Sequence, residues 1–316
     1  MQSSFAETQP ADAPVFVSLG MLVLDELQFP FKETLYDVPG GSGAYSSPLL
    51  HAATFHTLAD PAELSAQVSS LLTLRNNDDA ASDDHHHRRR DPPIIIWEPR
   101  PPSCTAANLD AHARAACRNA DVFSPNHVEL LALFGETRDD DDDDDDGGGG
   151  DAFDRGRVEA CARRFLDAAA AAAAGASDEG GDERAPAPEA AAMTAIVVRA
   201  GEHGCFFAVS ADRSGCASWL PAYYDASSSK VVDTTGAGNA FLGAFAVAFH
   251  ASSRRGGGGE GGDDVREAAV RGSVAASFAL EQVGLPEKGT TAVDGRELWN
   301  GEEFAWRLRE YRRRVG

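Results

Sequence analysis

The clearest indication of a chemical function in this sequence is a glycine-rich turn near residue 236. The run Asp233-Thr234-Thr235-Gly236-Ala237-Gly238-Asn239 leads directly into an apolar segment from Phe241 to Phe249. That segment is apolar on every side, which predicts a buried helix. The start of such a helix offers unpaired backbone N–H groups and the positive end of the helix dipole. The pattern therefore predicts an anion site, such as a phosphate site, at this turn.

The turn resembles the C-terminal motif of the ribokinase-like (pfkB) carbohydrate kinases, Asp-Thr-x-Gly-Ala-Gly-Asp. The resemblance implies that Asp233 helps to hold a monovalent cation such as K⁺. It also implies that Gly236, Ala237 and Gly238 form an anion hole for the transferred phosphoryl group. Asn239 stands at the position of the catalytic base, where the family has Asp. An amide cannot accept a proton near neutral pH, and a general base contributes roughly 100- to 10,000-fold. The alternative is an ordinary strand–turn–helix of an α/β protein.

Asn126 and Glu129 follow a predicted strand three residues apart, which places them on one face of an opening helix turn. This spacing resembles the family's Asn-x-x-Glu motif. The resemblance implies that both residues support the bound nucleotide, and that Glu129 reaches Mg²⁺ through water. An amide and a carboxylate suit a cation that keeps most of its waters. Ordinary capping of a helix start explains the same residues without a metal.

Two further stretches resemble parts of the family's nucleotide site. Gly201 and Gly204 form a Gly-x-x-Gly turn after an apolar strand, although a plain β-turn explains these glycines equally well. Ser273 lies in a helix of small residues that resembles the lining of the adenine pocket. Small residues also allow helices to pack closely, so the second stretch is weak by itself.

The resemblance also implies that residues in the N-terminal part of the chain bind the substrate. Asp25 resembles the family's Asp after the first strand, which binds substrate hydroxyls, since a carboxylate accepts two hydrogen bonds from a diol. Gly40 and Gly41 resemble the double glycine that lies against the sugar. Only about twenty residues, from Gln28 to Ser47, are free to build the family's small β lid. The lid is therefore predicted to be truncated or absent.

Apolar runs and helical patterns alternate along the chain. Strands are predicted at residues 15–20, 94–97, 121–123 and 195–199, and a β pattern resumes at 206–209. Helices are predicted at residues 61–75, 109–119, 157–174 and 264–282, besides the one after the glycine turn. This alternation predicts an α/β fold with a doubly wound, mostly parallel sheet flanked by helices, as the ribokinase resemblance implies.

A single ribokinase-like domain is predicted over residues 14–316, after a disordered N-terminus at 1–13. Low-complexity insertions interrupt it at 76–91, 139–150, 176–192 and 252–263. Each falls between predicted elements, where added length costs little loop-closure entropy.

The composition narrows the possible partners. The formal net charge is −22, which argues against a nucleic-acid surface because phosphate neutralisation needs a basic face. The sequence contains no run of eighteen apolar residues, so no membrane span is predicted. Five scattered cysteines without metal spacing predict reduced thiols and a cytoplasmic location.

The resemblance extends to the fungal pfkB-type proteins related to the yeast maintenance-of-killer protein. It rests on Ile-Trp-Glu-Pro at 96–99, Ser-Pro-Asn-His at 124–127 and the Asn at 239. It implies transfer of a phosphoryl group from ATP, with Mg²⁺, to a hydroxyl of a sugar or nucleoside. The alternative is a catalytically inactive relative that binds nucleotide or acts as a scaffold, for which a protein partner is expected. A dinucleotide-binding protein is disfavoured, because no Gly-x-Gly-x-x-Gly turn follows the first strand.

Overall fold

The computed structural model describes residues 50–81, 92–136, 153–176, 193–210, 215–253, 262–291 and 295–316, together with the backbone of three N-terminal strands. Seven strands form one sheet in the order β1-β4-β5-β6-β7-β8-β9. The strands from β1 to β7 in this order pair in parallel, whereas β8 and β9 pair antiparallel. Their bounds are β1 Phe16–Leu19, β4 Thr54–Ala59, β5 Ile94–Pro99, β6 Val122–Phe123, β7 Ala195–Arg199, β8 Cys205–Val209 and β9 Ala217–Leu220.

The central strands β5, β6 and β7 are apolar except for Glu98 and Arg199 near their carboxyl ends, because helices cover both faces of the sheet. In β5, Ile95 and Trp97 pack into the core on one face, and Ile96 packs into the core on the other. Against the first face pack α1 Pro61–Ala81, α2 Leu109–Asn119, α3 His127–Leu133 and α4 Arg155–Ala176. Against the second pack α5 Ala237–Ser253, α6 Gly262–Ala279 and α7 Phe304–Val315. The predicted doubly wound α/β fold is therefore confirmed.

Two small antiparallel sheets lie outside the main one. Near the N-terminus, β2 Leu24–Leu27 pairs with β3 Leu35–Pro39. Of this pair, β3 lies in the stretch from Gln28 to Ser47 in which a reduced lid was predicted, and the truncation of the lid stays a prediction. Near the C-terminus, β10 Lys288–Thr290 pairs with β11 Glu297–Trp299. None of the helices within the described residues combines the length and the apolar character needed to cross a membrane.

Several predicted boundaries shift in the structure. Helix α1 runs six residues beyond the predicted end at residue 75, since the polar run that follows contains neither Gly nor Pro. Helix α6 ends at Ala279 rather than at residue 282, because the Gln282 side chain donates to the carbonyls of Phe278 and Ala279 and so caps the helix. The remainder of the predicted insertions, and residues 1–13, lie outside the described residues.

Two strands of the main sheet were not predicted. Strand β4 is interrupted by Thr and His, and β9 has only four residues, one of them Ser, so neither forms a continuous apolar run. The prediction of a helix buried all round is also wrong in part. One face of α5 packs into the core, whereas Val247 on the other face is 45% exposed.

Candidate functional site

The carboxyl ends of the parallel strands meet at one edge of the sheet, and polar residues from three of them come together there. Glu98 ends β5, Ser124 follows β6, and Arg199 ends β7. The Arg199 Nη2 donates to Glu98 Oε1 at 2.5 Å and to the Ser124 carbonyl at 3.0 Å. This edge is where ligands bind in open α/β sheets.

His56 of β4 extends this group of side chains. Its Nε2 lies 3.0 Å from Glu98 Oε2, so each Glu98 oxygen has a partner of its own. The side chains of His56, Glu98 and Arg199 are only 4%, 13% and 15% exposed. Burial by itself would raise the pKa of the Glu98 carboxyl, but the His56 hydrogen bond and the Arg199 charge together hold that pKa below its usual value. Glu98 is therefore a carboxylate at neutral pH.

Asn126 and Glu129 form a capping box at the start of α3. The Asn126 side chain accepts from the Glu129 N–H at 2.8 Å, and Glu129 Oε2 accepts from the Asn126 N–H at 2.7 Å. Glu129 is buried, and this burial raises the pKa of its carboxyl; the Glu98 charge adds to the rise, whereas the Asn126 N–H and the Arg199 charge oppose it. The structure brings Glu129 close to the Arg199 group, and its predicted contact with Mg²⁺ through water stays a prediction.

The glycine turn lies open at the start of α5. Gly236 has φ +80°, a conformation that glycine adopts without strain, and Gly236 and Asn239 are exposed. The N–H groups of Gly238 and Asn239 have no acceptor within the described part of the chain. Asp233 Oδ1 accepts from the Thr235 N–H at 3.0 Å, and this bond lowers the pKa of the Asp233 carboxyl. Free amides and an ionised carboxylate at one turn fit an anion and a small cation.

Arg199 connects the strand edge to the glycine turn. A Cβ placed on Gly238 would lie 2.6 Å from Arg199 Nη1, which is closer than van der Waals contact allows. The guanidinium therefore lies directly against the first turn of α5, and Gly238 makes this approach possible. The buried Nε of Arg199 has no hydrogen-bond acceptor among the described residues.

The other predicted nucleotide residues flank this site. Gly201 and Gly204 both have positive φ, at +55° and +92°, in the turn that follows Arg199. A Cβ on Gly204 would lie 2.0 Å from the Leu220 carbonyl, so packing against β9 requires this glycine. Ser273 is buried in α6, where its hydroxyl donates to the Ala269 carbonyl at 3.0 Å.

The predicted substrate residues lie in the N-terminal part. Asp25 belongs to β2, where its backbone pairs with Val38, and its side chain is not among those described. Gly40 and Gly41 lie outside the described residues. The substrate side therefore stays a prediction.

The sequence reasoning missed His56, Glu98 and Arg199 as members of the site. Glu98 and Arg199 each follow an apolar strand and carry opposite charges, and that signal was available in the sequence. His56 gave no such signal because its strand was not predicted.

The strand edge and the glycine turn define an α/β protein with a candidate phosphate site. The family description "pfkB family carbohydrate kinase" matches residues 166–290, which include the glycine turn, Gly201, Gly204 and Ser273. Over these residues the chain is similar to pfkB family carbohydrate kinases, in agreement with the resemblance seen in the sequence.

Two relatives are fungal. The chain is 27% identical over 273 residues to an uncharacterised protein of Schizosaccharomyces pombe, covering 83% of this chain and 60% of that protein. It is 27% identical over 224 residues to the protein MAK32 of Saccharomyces cerevisiae, covering 69% of this chain and 48% of that one. The chain thus spans about half to three fifths of the length of these relatives.

Among solved structures, the chain resembles ribokinase from Giardia lamblia. The TM-score is 0.46 and the identity is 17%, over 80% of this chain and 63% of that one.

Proposed function

We propose that this chain binds ATP with Mg²⁺ at the glycine turn and transfers its terminal phosphoryl group to a hydroxyl of a sugar or nucleoside. The observation that carries the proposal is the turn itself, where the N–H groups of Gly238 and Asn239 have no acceptor among the described residues at the start of a seventeen-residue helix. Amides placed in this way stabilise charge on phosphate oxygens. The pfkB match over the same residues supports this reading.

The roles of the individual residues follow from their positions. Gly236, Ala237 and Gly238 would hold the phosphoryl group, and the ionised Asp233 would attract a monovalent cation such as K⁺. Glu129 and Asn126 would support Mg²⁺ through its waters, and Gly201 with Gly204 would border the nucleotide. Bound Mg²⁺ would supply charge neutralisation on the phosphates.

Asn239 determines how fast such a reaction can run. It is exposed at the turn and cannot act as a base. It can orient a substrate hydroxyl by hydrogen bonding, and phosphoryl transfer depends mainly on positioning and electrostatics. We therefore expect slow transfer in the wild-type protein. Asp25, Gly40 and Gly41 would hold the acceptor.

The experiment is single-turnover transfer from γ-labelled ATP to a panel of sugars and nucleosides, with the wild type and Asn239→Asp compared. We expect labelled product from both proteins, and an increase of roughly 100-fold or more in the variant as the base is restored. Absence of product from both proteins, when both bind ATP, would contradict a kinase for that panel.

The second candidate function is an inactive relative that binds nucleotide and acts through a protein partner. The amide at position 239 favours it, together with a lid reduced to two described strands. In that case Asn239→Asp stays inert while ATP still raises the melting temperature, by an amount set by the ATP concentration relative to Kd.

A further inference from the structure

We propose that Arg199 is a phosphate-contacting residue, whose guanidinium forms the second wall of the anion site beside the amides of the glycine turn. The inference deepens the proposed function and rests on it. Arg199 would then provide the site with a positive charge from β7, in addition to the amides of helix α5.

The first observation is the number of donors that Arg199 leaves unused. A guanidinium has five N–H donors, and only Nη2 has acceptors, namely Glu98 Oε1 and the Ser124 carbonyl. Nε is enclosed and has no acceptor, and none is found for Nη1 among the described residues. Nε is enclosed, so Nη1 is the donor that an acceptor from outside the chain can reach. Phosphate oxygens accept strong, charge-assisted hydrogen bonds from arginine.

The second observation is where the free Nη1 lies. A Cβ on Gly238 would stand 2.6 Å from it, so the guanidinium contacts the helix turn whose N–H groups are unpaired. An anion bound to the amides of Gly238 and Asn239 would lie beside Nη1. Amides and guanidinium would then bind the same group from two sides.

The third observation is that the guanidinium is held in place before any ligand binds. Glu98 and Ser124 fix Nη2, and His56 fixes the second oxygen of Glu98. The side chains of His56, Glu98 and Arg199 are all at least 85% buried. A cation fixed in this way needs little reorganisation when charge develops nearby.

A purely structural salt bridge accounts for less of the geometry. It explains Nη2, but it gives no reason for Nη1 to lie against the only helix start that carries a glycine turn of this kind within the described residues. Phosphate binding accounts for the position of Nη1 as well.

The test measures the affinities of ATP, ADP and AMP, each with Mg²⁺, by calorimetry on the full chain. Arg199→Met removes the charge, Arg199→Lys keeps it without the fork, and Arg163→Met removes an exposed arginine of α4 as a matched control. We expect Arg199→Met to weaken the binding of ATP by about 10- to 100-fold, the range for a hydrogen bond to a charged group. The affinity for AMP should change by less than about 3-fold. Arg199→Lys should lose less ATP affinity than Arg199→Met, and the control should match the wild type.

A further variant separates phosphate contact from a structural role, should Arg199→Met fail to fold. Glu98→Gln keeps an acceptor for Nη2 but removes a negative charge beside the phosphates, so ATP affinity should rise. A loss of ATP affinity as large as that of Arg199→Met would overturn the inference.

Two other results decide the matter. If folded Arg199→Met loses affinity for ATP and AMP equally, or loses no affinity for ATP, the inference is overturned and the proposed function still stands. Failure of the wild type to bind ATP overturns both.

Discussion

Gly238→Ala tests the contact on which the site geometry depends. The new Cβ would lie 2.6 Å from Arg199 Nη1, so the guanidinium must retreat by about 0.8 Å to reach an ordinary contact of 3.4 Å. Nη2 moves with it, which lengthens the 2.5 Å contact with Glu98 to as much as about 3.3 Å and so weakens this hydrogen bond. We expect this movement to weaken both the fold and the binding of ATP.

The size of the effect follows from two opposing contributions. A hydrogen bond to a charged group stabilises a protein by about 1.5–3 kcal/mol, whereas Ala is favoured over Gly in a helix by about 1 kcal/mol. Because the bond is weakened and not broken, the net loss in the free energy of unfolding should be at most about 2 kcal/mol. Denaturant unfolding measures it, and Gly175→Ala in α4 is the matched control, because a Cβ there meets nothing within 4 Å.

A double-mutant cycle with Arg199→Met makes the prediction specific. Once the guanidinium is gone, the Ala at position 238 has nothing to displace, so Gly238→Ala should become neutral or stabilising in that background. If it destabilises the protein equally in both backgrounds, the contact between Arg199 and Gly238 has no energetic role and the reasoning is refuted.

The remaining predictions concern buried charges. Because burial raises the pKa of Glu129, the folded wild type loses stability as pH rises above about 4.5, the ordinary value, until the raised pKa is passed. Glu129→Gln keeps the capping acceptor and should therefore gain stability relative to the wild type over that interval, as measured by unfolding at pH 4 and pH 7. For Glu98 the pH dependence is reversed, since its lowered pKa stabilises the fold above about pH 4.5, and that stability is lost as pH falls through the folded pKa. The loss in the free energy of unfolding caused by Glu98→Gln should therefore shrink at low pH. A loss that is the same at both pH values would contradict this. Arg307, only 2% exposed, pairs with Glu281 and Glu302 at 2.7 and 2.6 Å, so Arg307→Met should reduce the free energy of unfolding by about 3 kcal/mol. Arg312→Met, which removes a more exposed ion pair, should cost less than about 1 kcal/mol, and equal losses would show that burial does not matter here.

The sequence by itself predicted those features that depend on neighbours along the chain. The bounds of α2 and β7 were predicted correctly, because each is a clear periodic or apolar run with polar ends. The glycine turn was equally readable, since three small residues between an apolar run and an apolar helix determine the local conformation. The missing carboxylate at Asn239 also needed no structure.

Only the tertiary structure decided which side chains surround that turn. His56, Glu98 and Arg199 are far apart along the chain, and they meet because β4, β5, β6 and β7 pair in parallel and in order. Strand order and register arise from packing of helices on both faces of the sheet, which no local pattern encodes. The same packing brings the guanidinium of Arg199 against Gly238, and so joins two features that are far apart in the sequence.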